Sequence, residues 1–421
     1  MNVKKMCTVT LAGLFTGLCA FGGSALAHAK STDETQAVMN SVQHATFQED
    51  AAASAKAEAM SQTEKLQPSI VYAADGSRPM RMLNVKSKDT GGTLIFSDSP
   101  EYVNTDGILY RDKVVGDARV LYYHLNNTDV PKKVEVVIEG EPGVDTIVTV
   151  TRKGTGRPSS DYMRVGKEAQ TKYFDGKNDF LSRIHLLNGH AHVLDVDMDQ
   201  TYLAPGELVY GIYDFHADHP VTVTVLMCGA DVNPVTVAHT ARVLPKDEQR
   251  LRGTFPMMNR IISTDRPYDP LRDGTVYIPL ADDKHDLYRQ GIDATDGSKV
   301  TNYGNYGILY FMDIPTTGRM PVSYFLSPLG GSYAGAMSAN INNRREERLL
   351  QVPSFREYFG DTTPPETDEE RTERENGSTF IRDTTELANL GTYRATDDVR
   401  FEFSPPGASN LPVNLILSPE K

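Results

Sequence analysis

Five histidines lie between residues 185 and 219 and are the side chains best suited to metal chemistry in this sequence. They are His185, His190, His192, His216 and His219. Imidazole nitrogens that converge from neighbouring strands bind zinc or copper. If at least three of these rings converge, a metal-dependent hydrolase or oxygenase follows. Their spacing matches no established metal motif, so ordinary structural or surface histidines are the simpler interpretation.

The segment 192–199 alternates between apolar and acidic residues, which is the pattern of a β-strand with one buried face. It predicts an apolar face of His192, Leu194, Val196 and Met198, and a solvent face of Asp195, Asp197 and Asp199. His192 is therefore predicted to be a hydrogen-bonded core histidine. The three carboxylates also resemble the start of a calcium loop, but Gln200 stands where that loop needs glycine. His216 and His219 are predicted to flank a hairpin turn.

The sequence gives little evidence for a catalytic nucleophile. Cys228 ends an alternating strand, and its neighbours Met227 and Gly229 provide no basic setting, so it is predicted to be a small buried hydrophobe. The segment 330–335 (GGSYAG) lacks the second glycine of a nucleophile elbow. We therefore assign no catalytic residue and no cofactor-binding residue, expect no cofactor, and do not expect an enzyme.

The first 27 residues have the pattern of a secretory signal peptide. Lys4 and Lys5 precede an apolar run that ends in the Ala-Leu-Ala of residues 25–27. The sequence therefore predicts a secreted, extracellular or cell-envelope-associated protein, with no later apolar stretch long enough to span a membrane. Removal of residues 1–27 takes away two lysines and no acid, which moves the formal net charge from −13 to −15. Such acidity argues against nucleic acid as a partner, because nucleic acids attract basic surfaces.

The remaining sequence consists mainly of short β-branched and apolar runs separated by Gly, Asp, Asn and Pro. Many short strands of this kind predict an all-β fold built from sandwiches. A polar flexible spacer comes first, and two tandem β-sandwich-like domains follow it. The predicted boundaries are 28–66 for the spacer, 67–245 for the first domain, 246–421 for the second domain and 361–378 for an acidic loop in the second domain.

One short helix is predicted inside the first domain, after a start signal at 158–160. Four of its side chains recur at helical spacing: Tyr162, Val165, Ala169 and Tyr173. A Gly-Ile-Leu-Tyr sequence occurs twice, at 107–110 and at 307–310. This repeat favours two related domains.

Three segments of the first domain share a recognisable pattern: 94–102 (LIFSDSPEY), 107–110 (GILY) and 118–127 (ARVLYYHLNN). With this pattern the chain resembles a group of exported Firmicutes-type cell-envelope proteins of unassigned function. Some members of that group carry a copper amine oxidase N-terminal-like stalk domain. The resemblance covers mainly residues 94–225 and implies export and a β-rich fold. It brings no catalytic residues, and the spacer 28–66 stands here in place of the stalk.

These observations predict a secreted or cell-envelope-associated, non-enzymatic protein with a structural or adhesive role. The expected partners are cell-wall or extracellular polysaccharide, or another envelope protein. A first alternative is an extracellular glycan-binding module. That module would need an exposed tyrosine platform, because the chain has 20 tyrosines and no tryptophan. A second alternative is the metal-dependent enzyme that would use the histidines between 185 and 219.

Overall fold

A computed structural model describes most of the chain beyond residue 79. The described residues are 80–175, 182–329, 331–345, 347–361 and 386–420. The predicted signal peptide, the predicted spacer and residues 362–378 of the predicted acidic loop lie outside them. Residues 66–421 form one compact unit, and every described residue belongs to it.

The described residues are mainly β-strands, which confirms the predicted all-β class. The first strands are β1 (Arg81–Met82), β2 (Lys86–Thr90), β3 (Thr93–Ser97), β4 (Tyr102–Val103), β5 (Gly107–Asn126), β6 (Lys132–Gly140), β7 (Thr146–Thr155), β8 (Ser182–Leu186), β9 (Ala191–Val193) and β10 (Leu208–Gly229). The next strands are β11 (Arg252–Pro256), β12 (Asn259–Ser263), β13 (Val276–Leu280), β14 (Arg289–Asp293), β15 (Ser298–Asn302), β16 (Leu309–Asp313) and β17 (Val322–Pro328). The last strands are β18 (Gly331–Tyr333), β19 (Gly335–Ile341), β20 (Arg348–Val352), β21 (Phe359–Asp361), β22 (Ala388–Tyr393), β23 (Val399–Phe403) and β24 (Val413–Pro419).

Three short α-helices occur in the described ranges: α1 (Tyr162–Phe174), α2 (Pro234–Thr240) and α3 (Pro270–Asp273). The predicted helix is confirmed as α1. Its first turn is capped by Asp161, whose carboxylate accepts from the backbone N of Arg164 at 3.2 Å. Three of the four predicted side chains, Val165, Ala169 and Tyr173, are buried against β7, β10 and β19. In the described part of the chain, no helix combines the length and the apolar character that a membrane span requires.

The strands of the described residues form four sheets. The largest has eleven strands in the order β15-β14-β11-β3-β5-β10-β6-β9, with β4 beside β5 and β7 between β10 and β8. A five-stranded sheet has the order β1-β13-β24-β17-β22, a six-stranded sheet has the order β2-β12-β16-β23-β19-β20, and β18 pairs with β21. The three larger sheets share one hydrophobic core, to which they contribute, for example, Leu121, Ile278 and Met312.

β10 is a strand of 22 residues that is paired on both edges. It pairs with β5 along one edge, and with β7 and then β6 along the other. A bulge between Ala217 and Val221 interrupts the register with β5. The predicted hairpin turn at His216 and His219 is therefore wrong. Because β5 pairs with β10 on both sides of the bulge, the chain keeps its direction through these residues.

The predicted boundary between residues 245 and 246 separates strands that share the eleven-stranded sheet. β11 pairs antiparallel with β3, beginning at Arg252 and Ser97. The buried guanidinium of Arg119 adds a second connection, because its Nη1 donates to the backbone oxygens of Met258 and Gly307, both at 2.9 Å. The two halves are thus joined by strand pairing and by buried hydrogen bonds, and their division into two folding domains stays a prediction.

Cleavage of the exposed segment 248–250 should leave the two halves bound to each other. Strand pairing and the shared core hold them together, so cutting one connection removes few of their contacts. A specific protease site inserted between Gln249 and Arg250 allows the cut, and native size-exclusion chromatography then shows whether the fragments elute together. The same sample in guanidinium chloride is the control. Separate elution under native conditions would support the two independent domains predicted from the sequence.

Candidate functional site

The five candidate histidines are exposed. His185 lies on β8, His190 precedes β9, His192 lies on β9, and His216 and His219 lie on β10. The Nδ1 of His216 is 2.7 Å from Oδ1 of Asp117, and the Nδ1 of His219 is 3.1 Å from Oδ1 of Asp218. Among the described residues, no group of three or more His, Cys, Asp or Glu side chains is arranged to hold a metal ion.

The predicted strand over 192–199 is wrong. Only Ala191–Val193 forms a strand, and the chain then bends into a 3₁₀ turn at Met198–Gln200. His192 is exposed rather than in the core, and Val196 is 60% exposed. The alternation therefore does not place these side chains on one buried face.

The carboxylate of Asp195 explains the difference. The sequence pattern predicts this carboxylate on the solvent face, but Asp195 is buried. Its Oδ2 accepts from the Tyr213 hydroxyl at 3.0 Å and from Lys153 Nζ at 3.2 Å. Lys153 also donates to Asp197 Oδ2 at 2.9 Å. Because donors on β7 and β10 hold these carboxylates, the chain bends where the sequence pattern alone predicts a straight strand.

Cys228 is buried near the end of β10, as predicted. Burial raises the pKa of its thiol to about 12. The thiolate is the reactive form of cysteine, and a raised pKa keeps its population very small at neutral pH. Cys228 is therefore unsuited to nucleophilic catalysis.

A cavity of about 180 Å³ opens beside the end of β3 and is the candidate functional site. Its polar lining comes from Asp98, Glu101, Tyr123, Tyr210 and Tyr306. Its apolar lining comes from Phe96, Leu121, Leu251, Gly407 and Ala408. We call this set of ten residues the tyrosine pocket. The chain supplies it from β3 and the loop that follows, from β5 and β10, and from the segments before β11, before β16 and after β23.

Aromatic rings form much of the wall of the tyrosine pocket. The rings of Tyr123 and Tyr210 meet edge to face with centroids 6.3 Å apart, and those of Phe96 and Tyr306 are stacked at 6.3 Å. The Tyr306 hydroxyl donates to the backbone oxygen of Ser409 at 3.1 Å, which fixes that ring. The Tyr210 hydroxyl is buried beside the side chain of Gln170 on α1.

The loop 98–101 brings two carboxyl groups to the pocket. Asp247 holds this loop, because its carboxylate accepts from the Ser99 hydroxyl at 2.8 Å and from the backbone N of Glu101 at 2.9 Å. Arg252 Nη1 donates to the backbone oxygen of Ser99 at 3.2 Å. These bonds do not involve the Asp98 carboxyl. Its Oδ1 is buried and lacks a hydrogen-bond partner within the described part of the chain.

Burial and like charge raise the pKa of both pocket carboxyls. For Asp98, burial has the largest effect on the pKa, and the charges of Glu101 and Asp247 add to it. For Glu101, burial again raises the pKa most, followed by the charge of Asp247. This environment therefore stabilises the protonated form of both carboxyls more than water does, whereas a positive charge in the pocket would lower both pKa values.

Gly407 brings the chain after β23 close to the tyrosine rings. A Cβ atom at this position would lie 2.7 Å from Tyr123 Cδ2 and 3.0 Å from Tyr210 Cδ2, so a larger residue would displace both rings. Helix α1 approaches the same residue, and a Cβ on Gly166 would lie 2.4 Å from the backbone oxygen of Gly407. The helix thus supports the pocket wall through backbone contact.

The comparisons with known proteins assign no family. No protein-family model matches the sequence, and no curated protein is significantly similar to it. The resemblance of residues 94–225 to exported envelope proteins therefore stays a prediction. The tyrosine pocket has to be interpreted from its own geometry.

Proposed function

We propose that this chain is an exported, cell-envelope-associated adhesive protein that holds one sugar unit of a glycan in the tyrosine pocket. The observation that carries the proposal is the lining, in which three tyrosine rings and two carboxyl groups surround one cavity. The signal-peptide pattern of residues 1–27 supports export. The proposal joins the adhesive role predicted from the sequence to the glycan-binding alternative.

A sugar ring suits this lining because it has apolar C–H faces and a polar edge. The faces of a pyranose pack on aromatic rings, while its hydroxyls reach carboxyl and phenol oxygens. Among the carboxyl oxygens of the pocket, the buried Oδ1 of Asp98 has no hydrogen-bond partner in the described residues. The cavity measures about 180 Å³. A cavity of about 150 Å³ holds a benzene ring, so the pocket is large enough for one six-membered ring.

Exposed tyrosines stand next to pocket residues in the sequence. Tyr102 follows Glu101 directly and is 49% exposed, and Tyr303 lies shortly before Tyr306 and is 57% exposed. The Tyr303 ring also contacts the Tyr288 ring, with centroids 5.9 Å apart. Exposed rings give further sugar units a surface on which to pack. This arrangement favours a glycan chain over a free monosaccharide.

Replacement of Tyr306 by alanine should weaken glycan binding about 30-fold, because an aromatic anchor contributes about 2 kcal/mol of binding free energy. Tyrosine fluorescence reports the binding directly, since the chain has no tryptophan. The mature protein is titrated with tetrasaccharides of glucose, of N-acetylglucosamine and of glucosamine.

The matched control is Tyr202→Ala, because Tyr202 is 48% exposed and does not line the pocket. It should bind like the unmodified protein. Melting temperatures show whether both variants fold. Failure of all three tetrasaccharides to bind, or an equal loss of affinity in both variants, would overturn the proposed function.

A further inference from the structure

We infer that the sugar unit bound in the tyrosine pocket carries a free amino group, as in a hexosamine without an N-acetyl group. The inference rests on the proposed function and names its substrate class. It depends on the charge of the lining, on the unpartnered oxygen of Asp98 and on the aromatic rings.

The described part of the pocket wall is acidic and contains no compensating cation. Of the described residues that line it, two are carboxylic acids and none is Lys, Arg or His. A third acid, Asp247, holds the loop that carries the first two. The nearby Arg252 already forms hydrogen bonds elsewhere. Its Nε donates to Asp293 at 3.0 Å, and its Nη1 donates to backbone oxygens. A cationic ligand would therefore supply the charge that this site lacks.

An ammonium group matches the donors that the pocket requires. It has three N–H donors and accepts nothing, so it can satisfy Asp98 Oδ1 and Glu101 together. The buried Oδ1 of Asp98 is without a partner in the described structure, and burial of such an atom is costly. The tyrosine rings add to the attraction, because a cation is stabilised over the face of an aromatic ring.

The number of protons released on binding distinguishes an amino sugar from a neutral sugar. The titratable side chains around Asp98 and its loop are Glu101, Asp247, Tyr102, Tyr123, Tyr162 and Tyr306, and those of His124 and Arg252 bond to the loop backbone. Because burial and like charge raise the pKa of both carboxyls, an ammonium group that lowers these pKa values should release protons to solvent on binding. Affinity should then rise with pH until the ligand amine loses its own proton. A neutral sugar brings no positive charge and should release fewer protons.

Isothermal titration calorimetry tests the inference with the glucosamine tetramer and the N-acetylglucosamine tetramer. The glucosamine tetramer should bind about 30-fold more tightly, the effect expected of one desolvated charge pair. Repeating the titration in two buffers of different ionisation enthalpy measures the protons released. Asp98→Asn should abolish both the preference and part of the proton release. Asp129→Asn removes the same charge from an exposed position and should change neither.

The outcomes separate the inference from the proposed function. Equal affinity for the two tetramers, or binding without proton release, would overturn the inference and leave a glycan-binding protein. Loss of binding to every tetrasaccharide would overturn both. If Asp98→Asn does not fold, as shown by its melting curve, the proton release of the unmodified protein still decides. Preference for glucosamine that persists in a folded Asp98→Asn variant would overturn the role given to Asp98.

Discussion

Replacement of Arg119 by alanine should lower the free energy of unfolding by about 3–5 kcal/mol, because it removes the buried partner of an ion pair. Arg119 is 1% exposed. Its Nε and Nη2 donate to the two oxygens of Asp214 at 2.6 and 2.7 Å, and the Tyr173 hydroxyl donates to the same carboxylate at 2.9 Å. Its Nη1 also satisfies the backbone oxygens of Met258 and Gly307. One substitution therefore removes the bidentate partner of Asp214 and the shared donor of two backbone carbonyl groups.

Chemical denaturation of the variant and of Arg183→Ala measures this effect. Arg183 is exposed on β8, so its replacement should change the free energy of unfolding by no more than about 0.5 kcal/mol. The double variant of Arg119 and Asp214 to alanine should cost less than the sum of the two single variants, since the two side chains act as one unit. A loss below about 1 kcal/mol for Arg119→Ala would contradict the assignment.

Replacement of Glu135 by glutamine should stabilise the protein by about 3 kcal/mol at pH 7. The unfolded chain gains that much free energy when Glu135 ionises between pH 4.5 and pH 7, and glutamine removes this gain. Glu135 lies on β6 and is 1% exposed, and neither carboxyl oxygen has a hydrogen-bond partner among the residues described. Burial, followed by the charge of Asp199, raises the pKa of Glu135 from 4.5 to about 9. The nearby charge of Lys133 does not offset this, because Lys133 bonds to Asp199 at 2.5 Å.

The pH dependence has a definite sign. Between pH 4.5 and about 9 the native state keeps a proton on Glu135 that the unfolded chain has released. Stability therefore falls as pH rises through this window, and the glutamine variant should lose that part of the slope. Urea denaturation at several pH values measures the difference between the two proteins. Glu248→Gln, at an exposed position, is the control, and parallel curves for Glu135→Gln and the unmodified protein would contradict the prediction.

Local sequence patterns predicted the fold class and α1, because these depend on residues that are near one another in the chain. The spacing of Val165, Ala169 and Tyr173 reports one buried face whatever the partner is. The same reasoning was wrong for 192–199, where donors from distant strands bind Asp195. It was also wrong at 216–219, where a bulge inside β10 has the polar composition of a turn.

The tyrosine pocket could not be predicted from spacing, since its lining comes from six separate parts of the chain. Two signals were nevertheless present. The segment 94–102, which carries the resemblance to envelope proteins, contains both Asp98 and Glu101. The paired aromatics at 122–123 place one ring in the pocket wall. Neither signal reveals that Tyr306 and Gly407, far along the chain, complete the same cavity.

The contact between Gly166 and Gly407 affects how rigid the tyrosine pocket is and which substitutions it tolerates. Because backbone atoms meet there, the position of this wall does not depend on side-chain rotamers. The glycan that we propose as ligand would therefore meet a preorganised cavity and lose little affinity to ordering it. The same contact restricts evolution of the site, since a side chain at Gly166 would separate α1 from the wall and one at Gly407 would displace the rings of Tyr123 and Tyr210. New ligand specificity would then arise at Asp98, Glu101 or Tyr306, whose side chains can vary without moving the backbone.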